Sequence, residues 1–168
     1  MRHPHFISVL AFAAMVGAAA TAEETAYTID VGEDTIAGIL NLPESDDALP
    51  IVLMLHGFTG QKNEIPVAGR DMGLYEYTAA ALAEAGIASL RFDFIGSGES
   101  TGDWSDTTFS GQIDDAIRVF DHLADIDGID PARIGIIGYS QGGLVGAHLA
   151  AERPDAKAVV LWAPVTTP

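Results

Sequence analysis

The sequence predicts an α/β fold: a mostly parallel sheet with helices on both faces, entered through an N-terminal hairpin. Three observations carry that expectation. Apolar runs of strand length, LPIVLMLH (49–56), IASLRFDF (87–94), ARIGIIGY (132–139) and AKAVVLWAP (156–164), alternate with helical stretches across short connections, the pattern that builds parallel sheets. The first of these runs is apolar without interruption, as befits a strand covered on both sides. With 168 residues, 48% of them hydrophobic, the chain can bury one sizeable core and is short for two.

In order along the chain, residues 1–22 come first. Arg2 precedes an apolar run from Phe6 to Ala20, and Ala20-Thr21-Ala22 stands ahead of Glu23 and Glu24. That layout predicts a secretory signal peptide cut after Ala22. The run is shorter than the roughly 20 residues a spanning helix needs. The expected product is therefore exported, periplasmic or secreted, with no stable membrane anchor after cleavage, and residues 23–168 form one α/β domain.

The stretch YTIDVGEDTIAGILNLPE reads as two strands around a turn at Gly32 to Asp34. After the 49–56 strand, YTAAALAEAG (77–86) reads as a helix that stops at Gly86. The 87–94 strand runs into the polar loop IGSGESTGDWSDTT, with no helix start until about Thr108. Beyond it Ile113, Ile117, Phe120 and Leu123 recur at helical spacing, with Asp114, Asp115, Arg118 and Asp121 expected on the opposite, polar face. The 132–139 strand leads directly into the helix GLVGAHLAAER (143–153), and the 156–164 strand follows.

Composition excludes some chemistries. There is no cysteine, so disulfides, thiolate metal sites and cysteine nucleophiles are out. Without residues 1–22 the chain carries seven basic against 24 acidic residues, a formal charge of −17. Phosphate backbones are bound by clustered Lys and Arg, so nucleic acid is not an expected partner; an acidic surface serves solubility.

In open α/β sheets ligands bind beyond the carboxyl ends of the strands, and the chemistry-bearing residues of this chain sit there. Gly138-Tyr139-Ser140-Gln141-Gly142 fits Gly-x-Ser-x-Gly, and so does Gly98-Glu99-Ser100-Thr101-Gly102. Context separates them. The motif acts only when its serine tops a tight strand-to-helix turn, and Ser140 directly follows a strand and precedes a helix. Ser100 stands six residues past its strand and reads as a loop residue. A second signal is His56-Gly57-Phe58-Thr59-Gly60 at the end of the 49–56 strand. Acyl transfer needs backbone N–H donors at the oxyanion, one from the residue after the nucleophile and one from such a loop; by position these are Gln141 and Phe58, with Gly57 letting the chain approach the substrate.

HGFTG, RFDFIGSGES and GYSQGG, in this order, resemble the α/β-hydrolase superfamily, and their combination is similar to bacterial cinnamoyl or feruloyl serine esterases and their peptidase-like relatives. The resemblance runs from about Thr25 to Pro168. It implies an α/β-hydrolase fold with Ser140 as nucleophile and the Phe58 and Gln141 amides as the oxyanion hole. It also implies that His56 and Gly57 belong to the oxyanion loop beside the substrate, with His56 a structural member and not the base, and that Asp93 orders a loop. The implied substrate is a small-molecule carboxylic ester, cleaved without metal or organic cofactor.

The same resemblance places the triad acid and then its histidine after the serine, and neither is found. His148 lies two turns along the helix that follows Ser140, His122 sits among Asp121 and Asp125, and Asp155 precedes the last strand. The expectation is thus a fragment lacking the family's C-terminal strands, inactive alone, with AKAVVLWAP left as an apolar sheet edge. A peptidase or acyltransferase of the same fold, or a non-catalytic binding protein without the base, are the alternatives.

Overall fold

The computed structural model describes residues 22–167; the expected signal segment lies outside them apart from its last residue. Six strands form one sheet: β1 (Ala22–Val31), β2 (Asp34–Pro43), β3 (Leu49–Leu55), β4 (Ala88–Phe92), β5 (Ile129–Tyr139) and β6 (Ala158–Trp162). Their order is β1-β2-β4-β3-β5-β6. β1, β2 and β4 are joined antiparallel, and every later pairing is parallel, so the sheet is mixed and mostly parallel, as expected. The hairpin turns at Gly32, whose φ of +64° is left-handed and costs glycine little.

Three helices cover the sheet: α1 (Leu74–Glu84), α2 (Phe109–Leu123) and α3 (Gln141–Glu152). Because successive strand residues face opposite ways, each central strand feeds two cores. Ile51, Leu53 and Leu55 join Leu90, Phe92, Ile134 and Ile136 beneath α2 and α3. Val52, Met54 and Ile137 meet Tyr75 and Ala79 of α1 on the other face. Each such fully buried aliphatic side chain stabilises the fold by about 2 kcal/mol. Among the described residues no helix is long and apolar enough to cross a membrane.

Several boundaries differ from expectation. α1 starts at Leu74, three residues early, because the Gly73 N–H donates to Glu76 Oε2 at 3.1 Å, a carboxylate at the third helical position closing the helix start. α3 begins at Gln141, immediately after the serine turn. The polar face drawn for α2 is corrected at Asp115: this side chain is buried along with Gln112, Ala116 and Val119, because its carboxylate accepts the Ile95 N–H at 3.0 Å. The helix does start where expected, with Thr108 Oγ1 accepting the Gly111 N–H at 3.0 Å.

Two charged clusters fasten the loops. Arg91 on β4 is 1% exposed; its Nη2 donates to both carboxylate oxygens of Glu24 on β1 at 3.0 Å, and its Nε to Asn63 Oδ1 at 2.9 Å. At the end of β4, Asp93 is fully buried and accepts from the Lys62 backbone N–H (2.6 Å), the Lys62 ammonium (2.8 Å) and the Glu99 N–H (2.9 Å). At the other end of the sheet β6 pairs, among the described residues, with β5 alone, and Val159, Val160, Leu161 and Trp162 stand 40–50% exposed.

Candidate active site

The candidate site is built where β3 and β5, neighbours in the sheet, run out. Leaving β5, the chain reverses at Ser140, which has φ +52° and ψ −117°. For a residue with a Cβ this conformation costs on the order of 1–3 kcal/mol. The surroundings hold it there. The Ser140 N–H donates to the Trp162 carbonyl (2.9 Å), and the Ser140 carbonyl accepts from the Gly143 (3.1 Å) and Val165 (3.2 Å) N–H groups.

The glycines of the motif explain how so sharp a turn fits. A methyl group on Gly138 would run into the Gly142 carbonyl, and one on Gly142 into the carbonyls of Leu55 and His56. The first turn of α3 is therefore pressed against the end of β3, where Tyr75 Oη from α1 also donates to the Leu55 carbonyl at 2.8 Å. Ser140 itself is half-buried. No hydrogen bond joins its hydroxyl to a histidine among the described residues.

The second wall is the turn after β3. A Cβ on Gly57 would sit 3.3 Å from both Ser140 Cβ and Tyr139 Cδ1, so the backbone at Gly57 lies directly against the serine. The Gly57 carbonyl accepts from the Gly60 N–H (3.0 Å) and faces His56 Nδ1 (2.8 Å). Neither the Phe58 N–H nor the Gln141 N–H has an acceptor among the described residues. For Gln141 this follows from its place as the first residue of α3, where helical N–H groups have no partner one turn back.

The substrate-lining part expected of His56 is corrected. Its ring is 1% exposed, packs edge-on to Phe94 at 4.7 Å, and its Nε2 accepts the Phe94 N–H at 3.3 Å. Both nitrogens are thus engaged, with the proton assigned to Nδ1 facing the Gly57 carbonyl. Burial lowers its pKa below the ordinary histidine value, which keeps the ring neutral. His56 holds the loop from behind. Gly57 lies beside Ser140, and its own N–H is taken by Glu64 Oε2 at 2.6 Å.

The other sequence candidates lie apart. Ser100 Oγ donates to the Asp93 carbonyl (2.6 Å) and accepts the Ala37 N–H (2.9 Å), so its hydroxyl ties β2 to the loop after β4. His122 is exposed and bonded to the Arg118 carbonyl. His148 packs edge-on to Phe109, 5.5 Å between ring centroids. Asp155 is exposed ahead of β6.

Trp104, Phe109 and Gln112, which carry no motif in the sequence, complete the site beside Phe58 and Gln141. Phe58, 63% exposed, leans on Trp104 at 5.5 Å, and with Phe109, Thr108, Gln112 and Gln141 they border a groove of about 380 Å³. Gln112 Oε1 accepts from Gln141 Nε2 at 2.6 Å, which fixes the Gln141 side chain. Across Gln112 a second cavity of about 330 Å³ is acidic, bordered by Asp34, Asp103, Asp106 and Asp115. No group of three or more His, Asp or Glu among the described residues is arranged to hold a metal ion.

Comparison with known proteins agrees with this architecture. Esterase FrsA of Vibrio cholerae is 35% identical over 132 residues, covering 77% of this chain and 29% of that protein. A 31.7 kDa protein of the traX-finO intergenic region of Escherichia coli is 33% identical over 125 residues, 74% of this chain and 41% of that protein. The chain thus spans less than half the length of these curated relatives. Among solved structures, Est1E of Butyrivibrio proteoclasticus with ferulic acid bound superposes with a TM-score of 0.71 at 29% identity, over 82% of this chain and 52% of that one. The sequence profile of the α/β hydrolase fold matches residues 50–168, and together with the mixed sheet and its strand-end turns this makes the chain a member of the α/β-hydrolase family.

Proposed function

We propose that the protein is an exported serine hydrolase that cleaves small carboxylic esters through an acyl-enzyme on Ser140. One observation carries the reading: a serine held at positive φ beside the turns that carry two backbone N–H groups, Phe58 and Gln141, which have no acceptor among the described residues. Ser140 Oγ attacks the ester carbonyl, and the two amides stabilise the oxyanion as charge develops there. The alcohol departs, and water releases the acid. The deprotonating histidine and its orienting carboxylate are not supplied by His56, His122 or His148, whose rings are otherwise placed.

The groove bordered by Phe58, Trp104 and Phe109 favours an aromatic arm on the ester, since flat rings there bury area against three aromatic faces. The ferulic acid carried by Est1E is an aromatic carboxylic acid of that shape. Export rests on the sequence of residues 1–22, and mass spectrometry of the secreted protein is expected to find Glu23 as its first residue.

The test is a fluorophosphonate probe and a panel of acetyl, aryl and feruloyl esters, applied to the full-length protein. Labelling at Ser140 that is abolished by Ser140→Ala, with feruloyl or aryl esters turned over fastest, is the expected result. Labelling that survives Ser140→Ala sinks the assignment. A lack of both labelling and turnover favours the alternative of a binding protein.

A further inference from the structure

Glu64 lies seven residues past the oxyanion turn, and no part of the mechanism above uses it. Its Oε2 accepts the Gly57 N–H at 2.6 Å, a short bond of the kind a carboxylate makes to a backbone amide. Glu64 adopts φ +59°, a left-handed conformation unusual for a residue with a side chain. A turn bond from its own N–H to the Gln61 carbonyl (2.7 Å) holds it there. Gly60 fits against this arrangement, since a Cβ there would lie 3.2 Å from the same carboxylate oxygen.

Among the described residues Glu64 has no cationic partner. The Lys62 ammonium is committed to Asp93 and Glu99. The groups around Glu64 are Arg70 and Asp71 from its own loop, Glu76 from α1 in the same surface groove, Tyr75 of α1, and His56 at the end of β3. Burial raises the Glu64 pKa, while the Gly57 and Ile65 amides pull it down.

The consequence for the site comes from the rigidity of two successive peptide planes. Glu64 fixes the plane that carries the Gly57 N–H. The Gly60 N–H and His56 Nδ1 fix the next plane at the Gly57 carbonyl. No peptide bond here is cis, and in a trans unit the C=O and N–H point in opposite directions. The Phe58 N–H is therefore turned away from Gly60 and His56 and left without an acceptor.

We infer that Glu64 is the positioning residue of the oxyanion loop, its carboxylate aiming the Phe58 N–H by anchoring Gly57. This rests on the serine-hydrolase reading for its catalytic meaning, though the anchoring itself can be measured without turnover. Glu64→Gln keeps an oxygen acceptor, and Glu64→Ala removes it.

In ¹H–¹⁵N spectra of the ¹⁵N-labelled protein the Gly57 amide proton is expected far downfield, moving upfield as Glu64 is protonated at low pH and also in Glu64→Ala. In the full-length protein, fluorophosphonate labelling of Ser140 and kcat are expected to fall about 10-fold in Glu64→Ala with KM within about 2-fold, and to recover mostly in Glu64→Gln, since donors aimed at the oxyanion act in the transition state. If Glu64→Ala does not fold, the wild-type titration and Glu64→Gln still decide. A Gly57 proton indifferent to pH, or equal kcat in all three proteins, overturns the inference. A downfield, titrating Gly57 proton in a wild type that never labels upholds the anchor and overturns the hydrolase reading.

Discussion

Gly57 stands directly over Ser140: the position a Gly57 methyl would take is 3.3 Å from the Ser140 Cβ. These two residues come from the turns that end β3 and β5, adjacent strands at the centre of the sheet. Their contact brings the turn that carries Phe58 against the turn that carries the serine.

Gly57→Ala should consequently hurt chemistry more than folding. The added methyl needs its neighbours to give by a few tenths of an ångström, an overpacking cost of about 1 kcal/mol, while shifting the Phe58 amide from its aim. We expect fluorophosphonate labelling of Ser140 in the full-length protein to slow about 10-fold with only a small fall in Tm. Labelling at the wild-type rate would show that the loop tolerates displacement.

Gly142→Ala should do the reverse. Its methyl would collide with the Leu55 and His56 carbonyls, which cannot move without opening the end of β3. A loss of more than about 3 kcal/mol is expected in urea unfolding. Gly32→Ala, at φ +64° with open space around it, should lose only about 1 kcal/mol from conformational strain. Equal losses in the two variants would mean that α3 is not pressed against β3 as described.

Asp115 makes stability depend on pH. Burial pushes its carboxyl up to about 6, with Asp114 and Asp34 adding to the effect against Arg118 and the Ile95 amide. The folded state thus binds this proton more tightly than the unfolded chain, whose aspartates titrate near 3.9. The contribution is full below that value and is lost as pH rises through about 6. Asp115→Asn keeps an acceptor for the Ile95 N–H and carries no charge. It should be more stable than wild type at pH 8, by on the order of 1–2 kcal/mol given the partly open cavity, with the gap closing below about pH 4. Parallel curves for the two proteins would remove Asp115 from the account.

The Lys62–Asp93 pair gives a test of coupling. Burial works against the Lys62 charge, yet its bonds to Asp93 and Glu99 hold the ammonium pKa above its ordinary value. Asp93→Ala leaves the Lys62 ammonium with Glu99 alone and strands two backbone donors, a loss of about 3–5 kcal/mol. Adding Lys62→Met to Asp93→Ala should recover part of that loss in denaturant titrations. A double variant as unstable as the sum of the singles would show that the two groups do not interact.

The hairpin, the apolar β3, and the passage from β5 through Gly138–Gly142 into α3 were legible because each is written in contiguous residues, as a turn, a run or a motif. So was the placing of Ser140 between a strand and a helix, and of Ser100 in a loop. What escaped was held by side-chain bonds that no run, turn or motif writes into the sequence. Nothing local marks Asp115 as buried, since its partner is the Ile95 amide across the loop. Nothing local marks Glu64 as the acceptor of Gly57, or His56 as withdrawn behind the turn with both nitrogens engaged. The one missed local signal was Glu76, whose carboxylate three residues past Gly73 announces the start of α1.

The turns bearing Gly57 and Ser140 are 83 residues apart in the sequence, and they meet only when β5 aligns alongside β3. Pairings between such remote segments are slow to form. Reactivity at the serine should accordingly emerge late during refolding, after helical circular dichroism has already returned, so that an activity-based dye becomes a stopwatch for the final docking step of the nascent polypeptide.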